Sequence, residues 1–300
     1  QTIKPIQANL NDVQSNFHMF PSDLIGSVLK LKLYGPRFRT TYSHPEHIGN
    51  WSLHVSPNPG NIGIIVFLIF SHPGNIGATA RAIKNMGFQN LSLINPKGFP
   101  DDEAFFRAKG AKDILENVKI YNDLAKPLKD ATLIFGTSAR TRTIPWPTRT
   151  SSELHSILKK ALTSKNAKIC FLFGREISGL SNEELQMCDF QIKIPTDENF
   201  SSINLSHAVQ IISYVLKMEI ENIDSSVEKN TESTTFNDNE YLIDHFDKVM
   251  KQVDFYDQEN PKQVKTRMRR LIKRLQPDKL EMGILRGFLA KIEQVLNKKN

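Results

Sequence analysis

Residues 64–81 read IIVFLIFSHPGNIGATAR. The first seven are apolar without a polar break, which suits a strand covered on both faces, as in a parallel sheet with helices above and below. Ser71, His72, Pro73 and Gly74 then turn the chain, and NIGATAR begins a helix that carries the amide of Asn75 and the guanidinium of Arg81. In an open α/β sheet that strand-to-helix crossing is the edge where ligands bind. Two later stretches repeat the order of apolar strand, Gly- or Ser-bearing loop and helix: FGREISGLSNEEL at 173–185 and IPTDENFSSINLSHAVQ at 194–210. Three loops of this kind can converge on one pocket.

Around these stretches the pattern predicts strands at 64–70, 91–95, 118–121, 131–136, 168–173 and 190–194. Helices are expected near 76–86, 102–110, 123–129 and 151–163, from 182, and over 203–220. Alternation of this kind means an α/β domain with a mostly parallel sheet. Residues 1–60 form a leader with turn signals at Pro21, Pro45, Pro57 and Pro59, no regular period, and none of the charged-then-apolar order of a signal peptide. The α/β domain then occupies 61–222, a polar linker 223–240, and a helical extension 241–300. That extension reads as helices at about 240–252 and 261–296, the second interrupted near Pro277.

Three hundred residues suffice for one large domain or two. The two cysteines, Cys170 in an apolar strand and Cys188 beside a helix end, exclude a disulfide framework, and no His/Cys spacing suggests a metal, so none is expected. No apolar run approaches the roughly 20 residues that cross a bilayer. Reduced buried thiols and the lack of a span point to a cytoplasmic protein without a membrane partner. No GxGxxG opens a helix after the first strand and no P-loop is present, which excludes the common dinucleotide and nucleoside triphosphate sites.

Net charge is +7, and its distribution says more than its sum. Residues 219–260 hold twelve acidic against three basic side chains, a net of −9, whereas 261–300 hold twelve basic against three acidic, a net of +9. The densest basic run, KQVKTRMRRLIKRL at 262–275, places Val264, Met268, Leu271, Ile272 and Leu275 at helical spacing. Lys265, Arg269 and Lys273 are left on the remaining faces, with Arg270 beside them, where they can attract phosphate.

SHPGNIGATARAIKNMG at 71–87, GTSARTRTIPWP at 136–147, FGREISGLSNEEL and SSINLSHAVQ resemble, in order and spacing, the successive signatures of the SPOUT class of RNA methyltransferases, in its TrmH/TrmJ branch of ribose 2′-O-methyltransferases. NPKQVKTRMRRLIKRLQPDKLEMGILRGFLAKIE at 260–293 is similar to the helical extension of that branch's TrmJ members. The resemblance implies a SPOUT-type α/β knot, a sheet whose C-terminal part is threaded into a deep trefoil, with a small helical extension. It implies a homodimer with active sites built from both subunits, S-adenosylmethionine as cofactor and tRNA as partner. By the same resemblance Gly136, Thr137, Gly174, Arg175, Glu176, Ile194 and Leu205 contact the cofactor. Arg140 and Arg142 help hold RNA, and Arg81, Ser202 and Asn204 serve catalysis.

Methylating a ribose hydroxyl requires an electrophilic methyl group, an oxygen held in line, and relief of the negative charge that builds on it. A guanidinium stays protonated in nearly every protein environment, so Arg81 suits orienting phosphate and stabilising nascent alkoxide rather than accepting a proton. Ser202 and Asn204 can each position the hydroxyl, and Glu176 is a candidate acceptor of its proton through water. The implied reaction is 2′-O-methylation of cytidine or uridine 32, the first nucleotide of the tRNA anticodon loop. Two alternatives stay open: a different 2′-O-methylated site in tRNA or ribosomal RNA, and an RNA-binding module without turnover. The second is motivated by the leader and by Phe70, which stands where family members place a small polar residue.

Overall fold

A computed structural model describes residues 63–69, 71–139, 144–162, 164–197, 199–222, 232–259, 261 and 263–298. Expectations for residues 1–60, Phe70, Arg140, Arg142 and the first part of the linker fall outside the described residues. Seven strands form one sheet: β1 (Gly63–Ile69), β2 (Leu91–Ile94), β3 (Lys119–Tyr121), β4 (Leu133–Thr137), β5 (Thr148–Thr150), β6 (Lys168–Phe173) and β7 (Phe190–Lys193). Their spatial order is β3-β2-β1-β6-β4-β7-β5, and every pairing is parallel. In register, Thr137 lies opposite both Phe173 and Ile192. The chain therefore leaves β4, β6 and β7 at one edge of the sheet.

The apolar run that decides the fold is buried on both sides because successive side chains alternate. Ile64, Val66 and Leu68 pack with Phe135, Phe171 and Ile192 on one face, whereas Phe67 and Ile69 pack with Ile134, Cys170 and Leu172 on the other. The first face is covered by α1 (Pro73–Asn85), α2 (Asp102–Ala108), α3 (Lys112–Glu116), α5 (Leu154–Leu162) and α7 (Leu205–Glu221). The second is covered by α4 (Ala125–Leu128) and α6 (Asn182–Met187), with Trp146 donating to the Cys188 carbonyl at 3.0 Å. No described helix is long and apolar enough to cross a membrane.

Three elements differ from the expected pattern. Helix α1 begins at Pro73, three residues early, because proline suits the first helical turn, where its missing N–H costs nothing. The helix expected at 102–110 ends at Ala108 and passes through a 3-10 turn, Lys109–Ala111, into α3. Strand β5 was not expected: three residues on the edge of β7 are too short to show a period.

The extension comprises α8 (Phe236–Gln252), α9 (Val264–Leu275) and α10 (Lys279–Asn297) around a core of its own that includes Leu242, Ile243, Ile272, Met282 and Leu289. Helix α8 starts inside the expected linker. Thr235 caps it and Asp238 answers with a reciprocal bond to the Thr235 N–H, while Phe236 is buried against the second face of the sheet.

Candidate active site

The shared edge of β4, β6 and β7 opens into a cavity of about 370 Å³, within the roughly 300–1,000 Å³ span of small-molecule sites. Thr137, Ser138 and Ala139 supply one wall, 174–177 and Gly179 a second, and Ile192, Ile194, Ser201, Ser202, Ile203, Leu205 and Ala208 the third. Of the expected cofactor residues, Thr137, Gly174, Arg175, Glu176, Ile194 and Leu205 all line it. Gly136 does not: it is buried, and a Cβ there would lie 2.7 Å from Cys188 Sγ and 2.8 Å from Leu180 Cδ1, so close packing behind the cavity accounts for this glycine.

Local chemistry shapes each wall. The loop after β6 folds back on itself, Arg175 N–H donating to the Gly179 carbonyl at 3.1 Å and Gly179 N–H returning to Arg175 at 2.8 Å, with Gly179 at φ +66°. The Arg175 guanidinium is taken by Glu184 through two bonds of 2.9 and 3.0 Å, and Glu184 also accepts from Ser181 N–H to cap α6. Arg175 thus braces the loop. The segment after β4 is pinned across the sheet, Ser138 N–H donating to Ile192 and Gln191 Nε2 to the Ser138 carbonyl.

One bracket joins the three stretches read in the sequence. Glu176 accepts from Asn75 Nδ2 at 2.9 Å and from His72 N–H at 3.1 Å, and Asn204 Nδ2 donates to Asn75 Oδ1 at 3.2 Å. Burial works against the Glu176 carboxylate, and the Asn75 and His72 donors outweigh it, holding its pKa below the ordinary value. A carboxylate so stabilised is a poor proton acceptor. Asn204 is committed too, since its Oδ1 caps α7 by accepting from Ser206 N–H and Oγ.

Arg81 lies on α1, exposed, without a hydrogen bond or ion pair among the described residues, and outside the cavity lining. Ser202 is exposed on the lining itself. Sequence reasoning did not single out Ser138, Ala139, Ile192, Ile203 and Ala208, which also line the cavity; all but Ile192 lie inside the quoted motifs, but nothing in their residue type marks them off from their neighbours. It also missed an apolar stripe on the outer face of α7, where Ile211, Tyr214 and Met218 are 37%, 54% and 41% exposed.

The extension corrects the expected RNA contacts. Lys273 is buried, with no side-chain exposure, and its Nζ lies 3.3 Å from Asp189 Oδ1 and 3.2 Å from the Met187 carbonyl. It has no surface to offer phosphate. Arg269 is half-buried and paired with Glu240, whereas Leu271 and Leu275, expected inside, are 53% and 56% exposed. Helix α9 is turned from its apolar pattern because two of its cations find carboxylates on facing elements. Two more cations of the basic segment meet carboxylates of its acidic neighbour: Lys265 faces Asp247 and Lys279 faces Asp238. Arg270 is half-buried, and Arg267 and Arg274 remain exposed.

A family model described as the SpoU rRNA Methylase family matches residues 63–214, and one described as the C-terminal domain of tRNA methyltransferase TrmJ matches 237–300. The tRNA (cytidine/uridine/adenosine-2′-O-)-methyltransferase TrmJ of Pseudomonas aeruginosa is 39% identical over 241 residues, 77% of this chain and 93% of the relative. The tRNA (cytidine/uridine-2′-O-)-methyltransferase TrmJ of Salmonella typhimurium is 39% identical over 234 residues, 77% of this chain and 96% of the relative. Among solved structures, TrmJ from Z. mobilis superposes with a TM-score of 0.64 at 24% identity, over 76% of this chain and 98% of that one, a likeness of fold. A probable methylase family protein from Haemophilus influenzae gives 0.51 at 33% identity, over 80% and 99%. The span 63–214 encloses all three loops of the cavity.

Proposed function

The chain belongs to the SpoU methylase family, in its TrmJ branch, and from that premise we propose that it methylates a ribose 2′-hydroxyl of tRNA, at cytidine or uridine 32, in the cytoplasm. The observation that carries this reading is the convergence of the three motif loops on one cavity, clasped by the Asn75, Glu176 and Asn204 bracket.

The residues present suit S-adenosylmethionine. Ile192, Ile194, Leu205 and Ala208 offer apolar walls for a flat base, and Glu176 offers a fixed anion to a sulfonium. When bound, that cofactor supplies the electrophilic methyl group. The protein's own residues then have three tasks. Thr137 and the folded loop 174–179 shape the cavity, Ser202 Oγ orients the incoming hydroxyl at its mouth, and Arg81 binds the adjoining phosphate and stabilises the developing alkoxide. We assign the hydroxyl proton to water rather than to Arg81, which stays charged, or to Glu176, whose carboxylate is too weak a base.

Since Arg81 is outside the cavity of its own protomer, this reading includes a homodimer in which each Arg81 serves the partner's site. The exposed Ile211, Tyr214 and Met218 stripe supports such pairing. The threaded knot of SPOUT proteins is part of the same reading.

The test is methyl transfer from labelled S-adenosylmethionine to unmodified tRNA, followed by mapping of the modified nucleotide. A 2′-O-methyl at position 32 is expected. With Arg81→Ala, kcat should fall about 10²–10³-fold while cofactor affinity holds. A mark elsewhere moves the substrate assignment, and no transfer by the intact dimer ends the proposal.

A further inference from the structure

Lys273 is a strange residue to find without solvent. Its ammonium faces three groups: Asp189 Oδ1 at 3.3 Å, the Met187 carbonyl at 3.2 Å, and the ring of Phe236, whose centroid is 5.0 Å away. Asp189 is equally engaged, accepting Ile134 N–H on Oδ2 at 2.8 Å. Burial pushes the Asp189 carboxyl above its ordinary range, and Lys273 is the chief group opposing that push. Three segments thus meet at one charge: the turn between α6 and β7, the first residue of α8, and α9.

The extension has a hydrophobic core of its own, so its placement on the sheet depends on a few ties. One set lies at the start of α8. Ser233 N–H donates to Ser164 Oγ at 3.0 Å, Phe236 N–H to the Ala131 carbonyl at 2.7 Å, and Asn237 N–H to Lys129 at 3.1 Å. Those bonds cluster at one point, about which a three-helix unit can still swing. Among the described residues, every hydrogen bond and ion pair from α9 to the methyltransferase domain passes through Lys273. The Lys273 contact lies beside Phe236 at the foot of α8 and ties a second helix of the extension to the domain, which restrains rotation about the first set.

We propose that Lys273 is a positioning residue whose buried contact with Asp189 and Met187 latches the helical extension to the methyltransferase domain at one angle, so that it meets tRNA as a rigid arm. The inference rests on the tRNA reading above for its functional half alone. A rigid arm holds the exposed Arg267 and Arg274 at a fixed offset from the cavity, which raises the effective concentration of the second contact once the first has formed.

The experiment uses the full chain with spin labels at Lys159→Cys on α5 and Lys291→Cys on α10, both exposed, since Cys170 and Cys188 are buried and escape labelling. Distance distributions are measured with the native latch and with the double substitution Asp189→Asn and Lys273→Met, which strands no charge. A narrow distribution that broadens in the double variant is expected. KM for tRNA should rise about tenfold, with kcat and cofactor Kd within twofold, a split that loss of folding would not produce. An unchanged distribution overturns the latch, and a broadened one with unchanged KM overturns its role in tRNA binding. If the unlabelled native chain transfers no methyl to tRNA, the proposed function fails while the distances still judge the latch.

Discussion

Gly174 ends the apolar run of β6, and replacing it with alanine tests whether the folded loop is the wall of the donor site. An ideal Cβ there would lie 2.1 Å from the Gly179 carbonyl carbon, 2.2 Å from Leu180 N and 2.4 Å from Gly179 O. Non-bonded carbons rest about 3.5–4.0 Å apart, so the backbone at 179–180 must retreat by more than about 1 Å. That backbone is held by the reciprocal pair between Arg175 and Gly179, at 3.1 and 2.8 Å, and by Leu180, which is 1% exposed. Loss of the two bonds costs about 1 kcal/mol each and partial release of Leu180 about 1 more, or about 2–4 kcal/mol together. Thermal unfolding should shift down by about 5–15 °C. Because the displaced loop lines the cavity, affinity for S-adenosylmethionine should fall at least about 30-fold, the equivalent of about 2 kcal/mol. Calorimetry and thermal melts on Gly174→Ala are compared with Gly110→Ala, where an added Cβ meets nothing within 4 Å. Binding by Gly174→Ala within about threefold of the parent would refute the assignment of this loop to the donor site.

The pKa of Glu176 is lower folded than unfolded, so the stabilisation it provides is full above its unfolded value, roughly pH 4.3, and is lost as pH falls through the folded one. Cofactor affinity should be flat from pH 6 to about 9, and Glu176→Gln should leave the shape of the kcat profile unchanged there; a shifted limb would make Glu176 the base after all. Burial pushes the Cys170 thiol up to about 12 and the Cys188 thiol higher still, so a thiol reagent at pH 8 should find neither in the native protein and both after denaturation. Early reaction of either thiol would contradict the packing of the second sheet face. On α9, Arg274→Ala should lower the salt dependence of tRNA binding by about 0.7–0.9 in slope, whereas Arg269→Ala should mainly destabilise the fold, by about 1–2 kcal/mol through loss of Glu240. Equal salt slopes for the two variants would count against the orientation assigned to that helix.

Much of the site was readable because its loops are marked by residues with few substitutes. Gly174 must lack a Cβ, Pro73 and Gly74 break one element and start the next, and Asn75 in the first turn of α1, Glu176 in its loop and Asn204 at the cap of α7 stand where polar side chains meet. Gly136 carried the same kind of mark for a different reason, since tight packing and cofactor approach both exclude a side chain. The capping pair at Thr235 and Asp238 was also present in the sequence, but the polar composition around it disguised a helix start as linker.

By itself the sequence determined six of the seven strands, most of the helices, the edge of the sheet where chemistry gathers and the family, because periodicity, turn residues and motif spacing are local properties of a chain. Only the tertiary structure decided which side of α9 is buried, that Arg269 and Lys273 are spent on Glu240 and Asp189, and that Arg81 is not part of the cavity lining. The reason is that an ion pair depends on distance between segments far apart along the chain. A helix reveals its polar face in its spacing, but the carboxylate that will meet each cation comes from elsewhere in the fold.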